Sequence, residues 1–231
     1  MIPNTLDNTT ISFLKDLEKD FDISFEPKNI DFCGVFQKNK IATIYYNPKN
    51  VDSASIAHEL LHIWLTRFNY SIGNHIYLTL YSDKKLNKVF NKFLCDYITN
   101  CCDHFKMYPK FINLGYQPVD FLKNSLNEKA SLKDIKRLKL KLLGSYNSKA
   151  INFYIGSLFA ILADHVENDY TQHHSYLKQL DFQLYTIVSD FWNKWEKFDI
   201  ENIDVINNSD LDLINSFIDN MKEWIKTKRI V

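Results

Sequence analysis

Residues 56–65 read IAHELLHIWL, a mostly apolar stretch in which His58 and His62 are four positions apart and Glu59 follows the first histidine. Side chains four residues apart lie one above the other on a helix, so both imidazoles can reach the same metal ion. Glu59 projects about 100° round the helix from His58, towards a water molecule on that ion. Buried imidazoles and carboxylates are costly without partners, and a metal in a cleft provides one. The stretch therefore predicts a largely buried helix with a metal site.

The chain before this helix predicts one short helix and a small sheet. Apolar residues first recur at helical spacing and then give way to runs rich in β-branched and aromatic residues. The predicted elements are a helix over 9–19 and strands over 22–27, 32–37 and 40–48. Asp52 and Ser53 are residue types that favour the N-cap, and the helix with both histidines is expected to run from there to about Asn69.

The chain after this helix predicts mostly further helices. Residues 70–83 are expected to form a loop with a short extended piece, and a second long helix is expected over 84–108, ended by Pro109. The predicted apolar side of that helix consists of Leu86, Phe90, Phe93, Leu94, Tyr97, Cys101 and Phe105. Gly115 indicates a helix C-cap and a break, after which strand signals vanish.

Together these elements predict an α+β fold that is predominantly helical. A small N-terminal sheet and the histidine-bearing helix come first, and an all-helical C-terminal region follows. The predicted domains are residues 1–118 and residues 119–231, and the second can also pack on the first as one unit.

Composition excludes several classes of function. Basic residues (Lys plus Arg) and acidic residues (Asp plus Glu) both number 28. Because the chain has no excess of positive charge, a nucleic-acid or anionic membrane partner is not expected. The longest apolar stretch, residues 151–163, is too short and too interrupted to span a bilayer, and no secretory signal is visible. The four cysteines have no C-x-x-C spacing, which favours a cytoplasmic chain with free thiols. No glycine motif of nucleotide binding or serine hydrolysis is present.

The HELLH motif is the signature of zincin metallopeptidases, and the chain resembles that family over roughly residues 30–110. The resemblance implies that His58 and His62 are Zn²⁺ ligands and that Glu59 is the general base. It also implies that an edge strand, here residues 41–47, binds an extended peptide by backbone pairing.

A catalytic zinc needs a third protein ligand, and the sequence offers several. Metzincins continue the motif with a glycine and a third histidine, but Leu65 and Phe68 occupy those positions here. The resemblance is therefore to gluzincins and aspzincins, in which an acid on a downstream helix is the third ligand. Asp103 is the predicted ligand, although it is shorter than the glutamate usual in gluzincins. The alternatives, in order, are His104, Asp96 and His75, and both acids can instead belong to a solvated edge.

The leading hypothesis for function is a soluble zinc metallopeptidase that acts on a peptide or protein. Three alternatives stay open: a zincin-like sensor or interaction module without activity, a metal hydrolase of a non-peptide amide or ester, and a plain core with hydrogen-bonded histidines. Residues 164–174, DHVENDYTQHH, are expected to form an exposed loop between helices and have no assigned role.

Overall fold

A computed structural model describes residues 2–3, 6–68, 72–122, 126–166, 168–202 and 209–231. Within these ranges the chain forms ten α-helices, one 3-10 helix and five short strands, which confirms a predominantly helical α+β fold. In the same ranges, every helix is too short or too polar to cross a membrane.

The elements follow one another in a simple order. The helices are α1 (Asn8–Leu17), α2 (Ser53–Thr66), α3 (Ile72–Ser82), α4 (Lys92–Asn113), α5 (Pro118–Phe121), α6 (Leu132–Arg137), α7 (Ser148–Leu162), α8 (Thr171–Leu180), α9 (Phe182–Lys197) and α10 (Ser209–Lys226). The strands are β1 (Asp22–Pro27), β2 (Gly34–Lys38), β3 (Ile41–Tyr46), β4 (Lys141–Leu142) and β5 (Ser145–Tyr146), and a 3-10 helix spans Leu86–Lys88.

The chain divides into two compact units, and the first comprises Met1–Tyr70 and Lys106–Asn127. Its sheet has the order β1-β3-β2, with β3 parallel to β1 and antiparallel to β2. Because β3 is central, the expectation that residues 41–47 form an edge strand is wrong, and β1 and β2 are the edges. Ala42, Ile44 and Tyr46 alternate along β3 and are buried, as the period of a strand requires.

The helix α2 begins where the sequence predicts. Asp52 has extended backbone, and its side chain accepts a hydrogen bond of 2.7 Å from the Ser55 N–H, which satisfies one unpaired donor of the first turn. The helix is buried from Ile56 to Leu61, a run that contains His58 and ends next to His62. It ends at Thr66. The predicted end, at about Asn69, lies outside the described residues.

The second unit comprises Ser71–Phe105 and Glu128–Val231. Residues 72–82 form helix α3, so the predicted loop with an extended piece over 70–83 is wrong for the part that the structure describes. Ile76 and Leu80, four positions apart, are buried on one face. A Cβ at Gly73 would lie 2.6 Å from the Thr99 Cγ2, so glycine lets α3 approach α4 closely. Tertiary packing thus stabilises a helix in a stretch whose β-branched and aromatic residues favour extended structure.

Helix α4 differs from its prediction at both ends. It begins at Lys92, after Asn91 accepts a hydrogen bond of 2.9 Å from the Leu94 N–H, and it continues through Pro109 to Asn113. Proline removes a single helical hydrogen bond, which the rest of a long helix can tolerate. Gly115, with φ of 94°, marks the break as predicted.

The apolar side of α4 also differs in part from its prediction. Phe93 is 83% exposed, whereas its neighbours Leu94 and Cys95 are buried. The buried side of α4 within the second unit consists of Leu94, Cys95, Ile98, Cys101 and Cys102. The 3-10 helix over Leu86–Lys88 separates this helix from the residues that the prediction joined to it.

The C-terminal region is helical except for one small hairpin. Strands β4 and β5 pair antiparallel, and the connecting Leu143 and Gly144 have φ of 49° and 77°, which fits a two-residue hairpin turn. An all-helical region is therefore wrong at this point, because two-residue strands leave no periodic signal. The domains over 1–118 and 119–231, with the second able to pack on the first as one unit, stay a prediction.

Candidate metal centre

Helix α2 places the imidazoles of His58 and His62 on one side. Their ring centroids are 5.2 Å apart and their planes make an angle of 69°. His58 is buried and His62 is half-buried. The spacing of four residues therefore has the geometric effect expected from one helical turn.

The third imidazole of the group is that of His104 on α4. The ligand atoms of His58, His62 and His104 all lie within 4.8 Å of one another. A tetrahedral zinc with bonds of about 2.0–2.1 Å holds nitrogen atoms about 3.4 Å apart, a separation of the same order as that within this group. Three imidazoles also suit the ligand preference of zinc and several other transition metals. The three histidines could thus hold a metal ion.

The surroundings of His58 favour the neutral form of its imidazole. Burial, and then the proximity of His62, lower the pKa of His58 to about 3. One of its ring nitrogens donates to the backbone carbonyl oxygen of Phe121, whose ring lies with its centroid 4.9 Å away. A hydrogen bond of this kind fixes the tautomer and directs the lone pair of the other nitrogen, as in many metal sites.

Glu59 adjoins the histidines and is 8% exposed. Burial raises the pKa of its carboxyl above the usual 4.5, although the proximity of His62 and a hydrogen bond from the Val35 backbone N–H act in the opposite direction. A raised pKa makes the carboxylate a stronger base near neutral pH. Glu59 thus lies beside the imidazoles and outside their group, and its role towards a metal-bound water stays a prediction.

A cleft of about 620 Å³ in the first unit opens onto His58 and Glu59. Its walls consist of Asp31, Phe32, Cys33, Asn47, Asn50, Asp52, Ser55, Val119, Asp120, Phe121 and Leu122. Phe32 and Val119 are exposed at its edge. The cleft is large enough for a few residues of a peptide or for a small molecule.

The other ligand candidates lie apart from the histidine group among the described residues. Asp103 is half-buried beside His104, and its assignment as the third ligand stays a prediction. Asp96 is exposed and forms an ion pair of 2.6 Å with Lys92, which agrees with a solvated edge. His75 is half-buried on α3 and is also outside the group.

The periodicity of α4 contains a signal for His104. Met107 and Phe111 are buried, and His104 precedes them by three and seven positions, so it lies on the same helical face. Asp103 is four positions before Met107 but lies about 80° from Phe111 round the helix, whereas His104 lies about 20° from Phe111.

Residues 164–174 agree only in part with the expected exposed loop: the described residues up to 170 connect α7 to α8, the rest begin α8, and several of the side chains are buried or half-buried. The side chain of Asp164 is 1% exposed, and Tyr170 is buried. His173 is 2% exposed, and its Nε2 lies 3.0 Å from both the Glu128 carboxylate and the Ala130 carbonyl oxygen. Polar composition does not show this burial, because these groups hydrogen-bond one another and residues outside the stretch.

No protein-family model matches the chain, and neither a curated protein nor a solved structure matches it. The geometry of the site is therefore the basis for assigning a function.

Proposed function

We propose that the chain is a zinc-dependent metallopeptidase whose zinc ligands are His58, His62 and His104. One observation carries the proposal: three imidazoles converge within 4.8 Å beside a buried carboxylate on the same helix. Two buried histidines in a plain core need only one hydrogen-bond partner each, and a third imidazole from another helix is not required. A shared ion explains the convergence of three.

The proposed chemistry divides between the ion and Glu59. When bound, zinc supplies a Lewis acid that activates water and polarises a carbonyl group. Glu59 takes the proton of the attacking water and passes it to the leaving amine. His58 keeps its lone pair directed because its other ring nitrogen donates to Phe121.

The cleft beside Glu59 is the proposed substrate site. It lies in the same unit as the edge strand β2, whose Val35 N–H already contacts the Glu59 carboxylate. An extended peptide that occupies the cleft would bring its scissile carbonyl to His58 and Glu59. A peptide or protein is therefore the proposed substrate. The edge strand β2, rather than residues 41–47, would pair with its backbone.

Zinc content tests the metal half of the proposal. The untagged protein, supplemented with zinc and then dialysed, should retain about one zinc per chain, and less than about 0.1 would contradict the proposal. His104→Ala should weaken zinc binding at least about 100-fold, more than loss of an outer hydrogen-bond partner would. Asp103→Ala, one position away on the same helix, is the matched control and should bind zinc as the wild type does.

Hydrolysis tests the other half. The zinc form should cleave members of a broad peptide library, and Glu59→Gln should keep its zinc and lose cleavage. Zinc binding with no cleavage by the wild type would favour the sensor or interaction module. Cleavage of activated esters or small amides, without any peptide, would favour a non-peptide hydrolase.

A further inference from the structure

The connection between α7 and α8 is built round the buried carboxylate of Asp164. It accepts hydrogen bonds from the Tyr170 hydroxyl at 2.7 Å, the Asn168 side-chain amide at 2.8 Å and the Val166 N–H at 3.2 Å. Its side chain is 1% exposed, and the Lys129 Nζ lies 3.9 Å away. Such a network is expensive to disrupt, so the backbone next to Asp164 is firmly held.

The residue that this connection holds against α4 is His165. One ring nitrogen of His165 donates to the backbone carbonyl oxygen of His104. Its ring stacks on Phe105, with centroids 5.4 Å apart and an angle of 22°, and Phe105 in turn meets Trp192 edge to face at 5.2 Å. Burial lowers the pKa of His165 to about 4, so the ring is neutral near pH 7. His165 thus contacts the backbone of His104 and the side chain of the next residue.

The turn of α4 at His104 and Phe105 is contacted from outside the helix. Pro109 lies inside α4, four positions after Phe105, and has no N–H. The hydrogen bond and the stacked ring of His165 act on this same turn.

We propose that His165 is a positioning residue for the metal centre: it fixes the α4 turn of residues 104–105 and thereby the direction of the His104 imidazole. The proposal rests on the proposed function, because it takes His104 as a zinc ligand. Imidazole ligands need their rings held within a narrow range of directions, and loss of outer partners typically costs about 10–100-fold in metal affinity.

Three substitutions separate the hydrogen bond from the ring. His165→Phe keeps an aromatic ring against Phe105 and removes the donor. His165→Asn and His165→Gln remove the ring and supply an amide N–H at the position of one or the other ring nitrogen. His165→Phe should bind zinc about 10–100-fold more weakly and should change the visible absorption of the Co²⁺ form, and the better amide variant should recover most of both.

A structural control comes from His174 on α8, whose Nδ1 lies 2.9 Å from the Tyr185 hydroxyl. His174→Phe removes a comparable hydrogen bond in the same unit and should leave zinc affinity and the Co²⁺ spectrum unchanged. Hydrogen exchange of the metal-free protein adds a readout that needs no ion: exchange over residues 104–113 should quicken in His165→Phe and stay unchanged in His174→Phe.

The outcomes distinguish this proposal from the one on which it rests. If the wild type binds no zinc, the proposed function fails and this proposal fails with it. If the wild type binds zinc but His165→Phe keeps its affinity and spectrum, this proposal alone is overturned. Should His165→Phe not fold, Tyr170→Phe weakens the hold on Asp164 and should give a few-fold loss of zinc affinity, whereas unchanged affinity would overturn the proposal.

Discussion

Glu59 accepts a hydrogen bond from the backbone N–H of Val35, which ties the carboxylate of α2 to the edge strand β2. The carboxylate is therefore fixed from two sides, by its own helix and by the sheet. The N–H stabilises the charged form while burial opposes it, and burial is the larger effect. A base of raised pKa with a fixed location is what proton transfer requires.

The pH dependence of hydrolysis should report this carboxylate. Glu59 acts in its charged form, so kcat/KM should fall as pH decreases through the range in which its carboxylate takes up a proton. Glu59→Gln should lower kcat/KM by about 10²–10⁴-fold at every pH. An acid limb that persists unchanged in residual activity of Glu59→Gln would assign it to another group.

The N-cap of α2 should contribute measurably to stability. Asp52→Ala removes the hydrogen bond of 2.7 Å from the Ser55 N–H and should lower the free energy of unfolding by about 1 kcal/mol. Asp31→Ala is the matched control, since Asp31 is an exposed acid of the same cleft and caps no described helix. Equal urea midpoints for the two variants would show that the cap contributes nothing.

Arg67 connects the end of α2 to α1. It lies 2.8 Å from both the Asp16 and the Asp20 carboxylates, and it also donates to the Asp16 carbonyl oxygen. These groups are partly exposed, so Arg67→Ala should cost only about 1 kcal/mol. Lys19→Ala, which removes a more exposed partner of Asp16 at 2.9 Å, should cost less.

The contribution of Arg67 should also depend on pH. Its hydrogen bond, with that of Lys19, lowers the pKa of Asp16 from 3.8 to about 2. A depressed carboxyl pKa gives stability that is present above 3.8 and lost as pH falls through about 2. The difference in unfolding free energy between wild type and Arg67→Ala should therefore shrink over that interval, and a constant difference would contradict the ion pair.

The metal-free protein should lose stability in mild acid. The folded chain lowers the pKa of His165 from 6.5 to about 4, so protonation favours the unfolded chain. This stability is complete above 6.5 and declines as pH falls from there towards about 4. Urea unfolding in a chelator across this range should show the decline, and His165→Asn should reduce its slope. A slope identical to that of the wild type would mean that other groups cause it.

Strong local signals explain what could be predicted from the sequence. The strands before α2, its cap at Asp52 and the break at Gly115 follow from residue types that act on their own neighbourhood. Helix α3 could not be predicted in this way, because its stability depends on packing, including the close approach of Gly73 to Thr99. The same holds for residues 164–174, whose polar groups hydrogen-bond both one another and residues distant in sequence.

The metal site likewise has a part that local sequence predicts and a part that depends on packing. The pairing of His58 with His62 follows from helical spacing alone. The third ligand comes from another helix, where neighbouring residues differ by about 100° in direction, so a choice between Asp103 and His104 depends on how α4 is rotated. That rotation is set by the buried Met107 and Phe111, which local motifs do not reveal.

X-ray absorption at the zinc edge tests the central claim most directly. The wild-type protein and Asp103→Ala, each loaded with one zinc per chain, should both show three imidazole ligands at about 2.0 Å, and His104→Ala should show two. If the wild type had fewer than three imidazole ligands and Asp103→Ala lost a ligand, the histidine site would be contradicted. Zinc with no imidazole ligand would contradict the account as a whole.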